Sequence, residues 1–165
     1  MTIETRDARP GEYDAIGAIV AAAFAADGQL DSPGSASYGT VLRDVAGRAA
    51  HAQVVAALDD GTVVGGVTYV PDGGPMADLA RDGEAEIRML GVAPDAQGRG
   101  AGTALVRECL ARAAGRPVVL STNAVAHTSH RLYERLGFVR EPARDWMPVP
   151  DVTLLCYVRD AELRP

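Results

Sequence analysis

Val92-Ala93-Pro94-Asp95-Ala96-Gln97-Gly98-Arg99-Gly100-Ala101-Gly102-Thr103 is the stretch from which the rest of the chain can be read. The apolar residues before it read as a strand. The spacing after it, through Ala104, Leu105, Cys109 and Leu110, reads as a helix running to about residue 114. Gly98, Gly100 and Gly102 at alternate positions clear side chains from a backbone that must approach something closely. Arg99 adds a positive charge. A strand, a glycine turn and a helix N-terminus together present free N–H groups to an anion, so the loop reads as a phosphate cradle.

Two common phosphate cradles do not fit. The dinucleotide fingerprint requires glycine, one residue, glycine, two residues, glycine, directly after a first strand. Here the gaps are one residue each and the loop comes late in the chain. The nucleotide-triphosphate loop requires Gly-Lys-Ser/Thr, which is absent.

Working outward, residues 84–92 read as the strand feeding the loop, and residues 117–121 as a short, wholly apolar strand suited to a sheet centre. Residues 127–136 read as a helix stopped by Gly137. Residues 138–140 begin another strand, 142–151 form a proline-containing loop, and 152–158 are the last strand. Upstream, residues 3–6 read as a strand. Pro10 opens a helix with Tyr13, Ile16, Ile19, Val20, Ala23 and Phe24 at helical spacing. A loop over 28–39 leads to a second helix over 38–50. Strands over 54–58 and 63–70 flank the hairpin turn Asp59-Asp60-Gly61, and a polar loop covers 71–83. The first half therefore reads as an antiparallel meander, and the second half implies a parallel crossover.

At 165 residues the chain reads as one domain spanning 1–165. An apolar share of 47% and a charged share of 23% are those of an ordinary globular protein. Net charge −6 and only 5% aromatic residues argue against a nucleic-acid partner and mildly suit a cationic one. The longest uncharged apolar run, 15–26, is too short to span a bilayer, and acidic residues precede it where a secretion signal would be basic. No membrane partner and a cytoplasmic location are therefore expected. Cys109, Cys156 and three scattered histidines give no metal spacing; both cysteines read as core residues.

Four pieces stand in one order: Glu86-Ile87-Arg88-Met89-Leu90-Gly91-Val92, then Gln97-x-x-Gly100-x-Gly102, then an apolar strand, then Leu132-Tyr133-Glu134-Arg135-Leu136-Gly137-Phe138. This arrangement resembles the GNAT superfamily of acetyl-CoA-dependent N-acetyltransferases, sharply over 84–138 and by element order elsewhere. The resemblance implies a GNAT-type α/β fold, with a mixed, mostly antiparallel central sheet flanked by helices. It implies acetyl-CoA as cofactor, and transfer of acetyl to a primary amine by direct attack, a route that needs no metal. The amine belongs to a small molecule or, alternatively, to a peptide. A silent acyl-CoA-binding module is the third reading, and a homodimer stays open.

By the same resemblance the backbone of Gln97, Gly98, Arg99, Gly100, Ala101, Gly102 and Thr103 holds the diphosphate, with Arg99 nearby. The main chain of Leu90, Gly91 and Val92 receives the pantetheine arm as an added strand. Ser129 replaces a small family residue and offers a hydroxyl to the cofactor. Glu86 matches a general-base glutamate, and Tyr133 the tyrosine that protonates the leaving thiolate. Where many members have an asparagine seven residues before that tyrosine, this chain has Ala126; Asn123 reads as a cap for the coming turn. Arg88 lines the site or pairs with an acid, His127 and His130 read as surface or cap residues, and Trp146 reads as a core plug. The acceptor pocket is expected from 25–38, 71–83 and 142–151, loops whose residues fit no motif.

Overall fold

The computed structural model describes residues 2–161. Along the chain lie β1 (Ile3–Asp7), α1 (Tyr13–Ala26), α2 (Tyr38–Arg43), α3 (Val45–Ala49), β2 (Gln53–Asp59), β3 (Thr62–Val70) and β4 (Ala85–Val92). Then follow α4 (Ala101–Ala113), β5 (Val118–Asn123), α5 (His127–Arg135), β6 (Val139–Arg140), β7 (Trp146–Val149) and β8 (Val152–Arg159). One sheet takes the order β1-β2-β3-β4-β5-β8-β6, with β7 paired to β8 off that path. The β1–β4 meander is antiparallel. α4 is the crossover to β5, which runs parallel to β4 and antiparallel to β8. This is the mixed, mostly antiparallel sheet that the sequence implies.

Both faces of the sheet are covered, so a central strand such as β2 is apolar at consecutive positions, Val54 to Leu58, rather than at alternate ones. In β2, Val55 and Ala57 meet Leu105, Val106 and Cys109 of α4 on one side. Val54, Ala56 and Leu58 meet Ile16 and Val20 of α1, Leu42 of α2 and Val45 of α3 on the other. Cys109 and Cys156 are buried free thiols, as expected of core residues. Burial pushes the Cys109 thiol up to about 12 and that of Cys156 up to about 11. The Asp60–Gly61 turn places both residues at positive φ, 48° and 84°, the twist that a two-residue hairpin requires.

Pro10 opens a short 3-10 turn that leads into α1. Arg6 Nη1 and Nη2 each donate to the Glu12 carboxylate at 2.9 Å, and the Arg9 N–H adds a third bond at 2.8 Å. Arg6 holds the Glu12 carboxyl down at about 2. Because the folded value lies below the unfolded one, near 4.5, this stabilisation is present above pH 4.5 and is lost as pH falls through about 2. Glu12→Gln is therefore expected to cost about 1 kcal/mol at neutral pH, discounted for solvent around the pair. The difference from the parent should vanish in urea titrations near pH 2.

Two elements differ from the sequence reading. The helix expected over 38–50 breaks at Asp44, where ψ swings to 67° and the side chain accepts the Gly47 N–H at 3.0 Å, capping α3. Arg48, 3% exposed, holds the broken pair to the sheet. Its Nε donates to Thr68 Oγ1, and its Nη groups donate to the carbonyls of Val41 and Leu42 at the end of α2. The loop expected over 142–151 contains β7, which pairs Trp146 with Leu154 and Val149 with Val152. Pro148 disguised it, since proline is tolerated in a strand at a sheet edge.

Candidate active site

β4 and β5 are paired only at Ala85–Val118, Glu86–Val119 and Ile87–Leu120. Beyond that point Arg88–Val92 pairs with β3 alone, and Ser121–Asn123 with β8 alone. The two strands part there into a wedge. A bulge adjoins the mouth: Val67 faces the Met89–Leu90 step, and Met89 takes φ 55°. The extra residue resets the alternation of the strand. Met89 packs with α1 and α2, and Leu90 and Val92 pack on the α4 side.

The glycine loop closes one end of the wedge. Gly98 and Gly100 have φ of 80° and 90°, and Gly100 is the N-cap of α4. Only glycine takes that conformation without strain. Gly102 instead keeps its side small against α5, since a Cβ there would lie 3.2 Å from Leu132 Cδ2. The first N–H groups of α4 have no carbonyl partner within the helix. A cavity of about 160 Å3 runs from this helix end to Leu90, Gly91 and Val92, with Gln97, Gly98, Gly100 to Thr103 and Ser129 on its walls. Arg99 is not on those walls: its Nη1 lies 3.1 Å from Asp59 Oδ2, on the β2–β3 hairpin. In this structure Arg99 therefore stands paired with the hairpin acid, while the loop backbone on either side of it lines the cavity.

A second cavity of about 400 Å3 adjoins the first, sharing Phe24, Gln29, Leu90 and Ser129. The three loops expected around the acceptor all contribute to it: Gln29, Ser35 and Ser37 from one, Asp78 from the next, Trp146, Pro148 and Val149 from the last. Tyr133 lines it from α5, packed edge-on against Phe138 at 5.7 Å between ring centres. Burial pushes the Tyr133 phenol up, so it remains protonated at neutral pH. Trp146 is a wall of this cavity rather than a core plug, and its indole Nε1 is buried without a hydrogen-bond partner. Asn123 caps the turn as expected, its Oδ1 accepting the Val125 N–H at 3.1 Å.

Glu86 is where the structure departs furthest from the sequence reading. It is 1% exposed and is not among the residues lining either cavity. Its carboxylate accepts the N–H groups of Asp78, Leu79 and Ala80 at 2.8–3.2 Å. Burial pushes this carboxyl up against the opposing pull of those amides. The general base expected at Glu86 is therefore not brought to a cavity wall: its oxygens anchor the 71–83 loop. Arg144, also buried, clamps the loop from above, donating to the Leu79 carbonyl at 2.7 Å and to both Glu84 oxygens. Glu84 is thus the partner of Arg144.

Residues 22–138 match the model of the Acetyltransferase (GNAT) family. The chain belongs to that family. No curated protein sequence matches it. Among solved structures, this GNAT chain is similar to the histone acetyltransferase HPA2 and related acetyltransferase of Corynebacterium glutamicum, with 22% identity, 99% of each chain covered and a TM-score of 0.77. It is also similar to the PaiA N-acetyltransferase of Thermoplasma acidophilum, solved in complex with coenzyme A, with 14% identity, 98% of this chain and 100% of that one covered, and a TM-score of 0.70. A third is a GNAT family acetyltransferase of Brucella melitensis in complex with acetyl-CoA, with 22% identity, 99% and 92% covered, and a TM-score of 0.61. At these identities the likeness is one of fold. Within this GNAT fold Arg88, which the sequence left between two roles, takes both. It lines the larger cavity, and its Nη2 lies 3.0 Å from Asp78 Oδ2. Among the described residues no helix is long and apolar enough to cross a membrane.

Proposed function

We propose that this GNAT acetyltransferase transfers the acetyl group of acetyl-CoA to the primary amine of a small molecule. One observation carries the choice of acceptor. The larger cavity is roofed where the loop after α1 touches the β7–β8 turn. Gly34 lies so close that a Cβ would fall 2.7 Å from the Pro150 carbonyl oxygen and 3.1 Å from Val149. A peptide chain crossing the site would need an open groove there. A small amine fits the cavity without one.

The wedge and the glycine loop fit acetyl-CoA. The N–H groups at the start of α4 suit its diphosphate. The unpaired edge of β4 at Leu90–Val92 suits its amide-bearing arm as an added strand. The thioester then lies where the two cavities share Leu90 and Ser129. The acceptor's ammonium first gives one proton to solvent; the free amine nitrogen then attacks the carbonyl carbon, a C–N bond forms, and a backbone N–H near Leu90 stabilises the oxyanion. As the oxyanion collapses the C–S bond breaks, the Tyr133 hydroxyl gives its proton to the departing thiolate, and the second proton leaving the new amide nitrogen restores the Tyr133 hydroxyl.

Thiol release from acetyl-CoA, followed over a panel of small primary amines and over peptides with free N-termini or lysines, tests this reading. Turnover on small amines with none on peptides is the expected result. Faster turnover on peptides would overturn the choice of acceptor. Tight coenzyme A binding with no turnover on any amine would favour a silent binding module.

A further inference from the structure

The acceptor cavity is walled mostly by apolar side chains, among them Phe24, Ile87, Met89 and Val149. Among the described residues its charged lining is Asp78 and Arg88. These two are not equally available. Arg88 Nη1 donates to the Met76 carbonyl at 2.8 Å, and Nη2 lies 3.0 Å from Asp78 Oδ2, so both ends of the guanidinium are committed within the protein. Asp78 commits Oδ2 only. Oδ1 has no hydrogen-bond partner among the described residues and is not one of the buried unpartnered atoms, so it is accessible, on a residue that lines the cavity.

The position of Asp78 is built. Its own N–H donates to Glu86, as do the next two amides, and Arg144 holds the Leu79 carbonyl from the other side. Two buried charged side chains therefore fix the backbone that presents this one carboxylate. Leu79 and Ala80 pack on Val119, Cys156 and Val158, so the loop also has an apolar footing. A carboxylate held rigidly at an apolar wall attracts a cation more strongly than one on a mobile surface loop, because little reorganisation is needed to meet it.

We propose that Asp78 is the specificity-determining residue of the acceptor site, and that it selects an ammonium-bearing acceptor with an apolar body through its free Oδ1. This rests on the acetyl-transfer reading for its biological meaning, but its test does not depend on turnover. Arg88 acts as a positioning residue: it holds Oδ2 and leaves Oδ1 free for the ligand.

The test is calorimetric titration of phenethylamine, and of the matched neutral 2-phenylethanol, into the full chain saturated with coenzyme A. The parent protein should bind the amine and prefer it to the alcohol. Asp78→Asn should weaken amine binding by about 10- to 100-fold and leave alcohol binding within about twofold, since a charge-assisted bond is lost and the shape is kept. Asp78→Glu should restore part of the loss, which a purely structural role for the loop would not predict. Unchanged melting of Asp78→Asn would show that the loop still folds on Glu86. Equal amine affinity in parent and Asp78→Asn, no preference for amine over alcohol, or no amine binding at all would each overturn the proposal. Charge-selective binding without thiol release on any amine would instead sink the acetyl-transfer reading and leave Asp78 as the cation-selecting residue.

Discussion

Tyr133→Phe is expected to slow thiol release by about 10²- to 10³-fold, with acetyl-CoA affinity changed less than about twofold. The substitution keeps the ring, and with it the edge-on contact to Phe138 and the tilted contact to Tyr157 at 6.3 Å. Among the described residues the hydroxyl has no hydrogen-bond partner, so its removal costs the fold little. What is lost is a proton donor in the wall of the larger cavity. Because burial pushes the phenol up, the parent enzyme should show no loss of rate from deprotonation of Tyr133 across the neutral range. Stopped-flow thiol detection under single-turnover conditions reads the chemical step apart from product release. A Phe variant that keeps the parent rate would remove Tyr133 as the acid.

Glu86→Gln should act mainly on stability. Three backbone N–H groups would lose a charged acceptor, and the new amide nitrogen would face donors instead of accepting from them. The expected cost is about 2–3 kcal/mol, or a Tm lowered by roughly 6–10 °C. With Asp78 no longer fixed, the KM for the amine should rise while that for acetyl-CoA holds. The pH–rate profile should keep its shape. An acidic limb that flattens with Tm unchanged would reverse the assignment and return Glu86 to the role of base.

The surroundings of Glu86 and of the glycine loop show what a sequence can and cannot carry. The glycine loop, the hairpin at Asp60–Gly61 and the apolar β5 are local patterns whose geometry follows from a few adjacent residues, and each stands where the sequence places it. The three acceptor loops were legible as unmatched segments, and they converge on one cavity. Glu86 differs because its partners are main-chain amides six to eight residues upstream, and amides leave no trace in residue identity. The available clue was an acid between Ala85 and Ile87 in a strand covered on both sides, where a carboxylate must be satisfied by something. Arg99 and Asp59 are forty positions apart, and only the folded hairpin brings them together. Pro148 masks in the sequence the strand β7 that presents Trp146 to the cavity.

The short ladder that joins β4 to β5 makes the molecule a clamp with a stiff pivot. One jaw is the meander with α1 to α4 packed on it, and the other is β5 with β6, β7 and β8. In the sheet itself only three residue pairs join the two halves, and Ile87 and Leu120 at the end of that ladder are almost wholly buried. The open length of the mouth, Arg88 to Val92 on one side and Ser121 to Asn123 on the other, is thus set by where that ladder stops and not by any residue inside the gap.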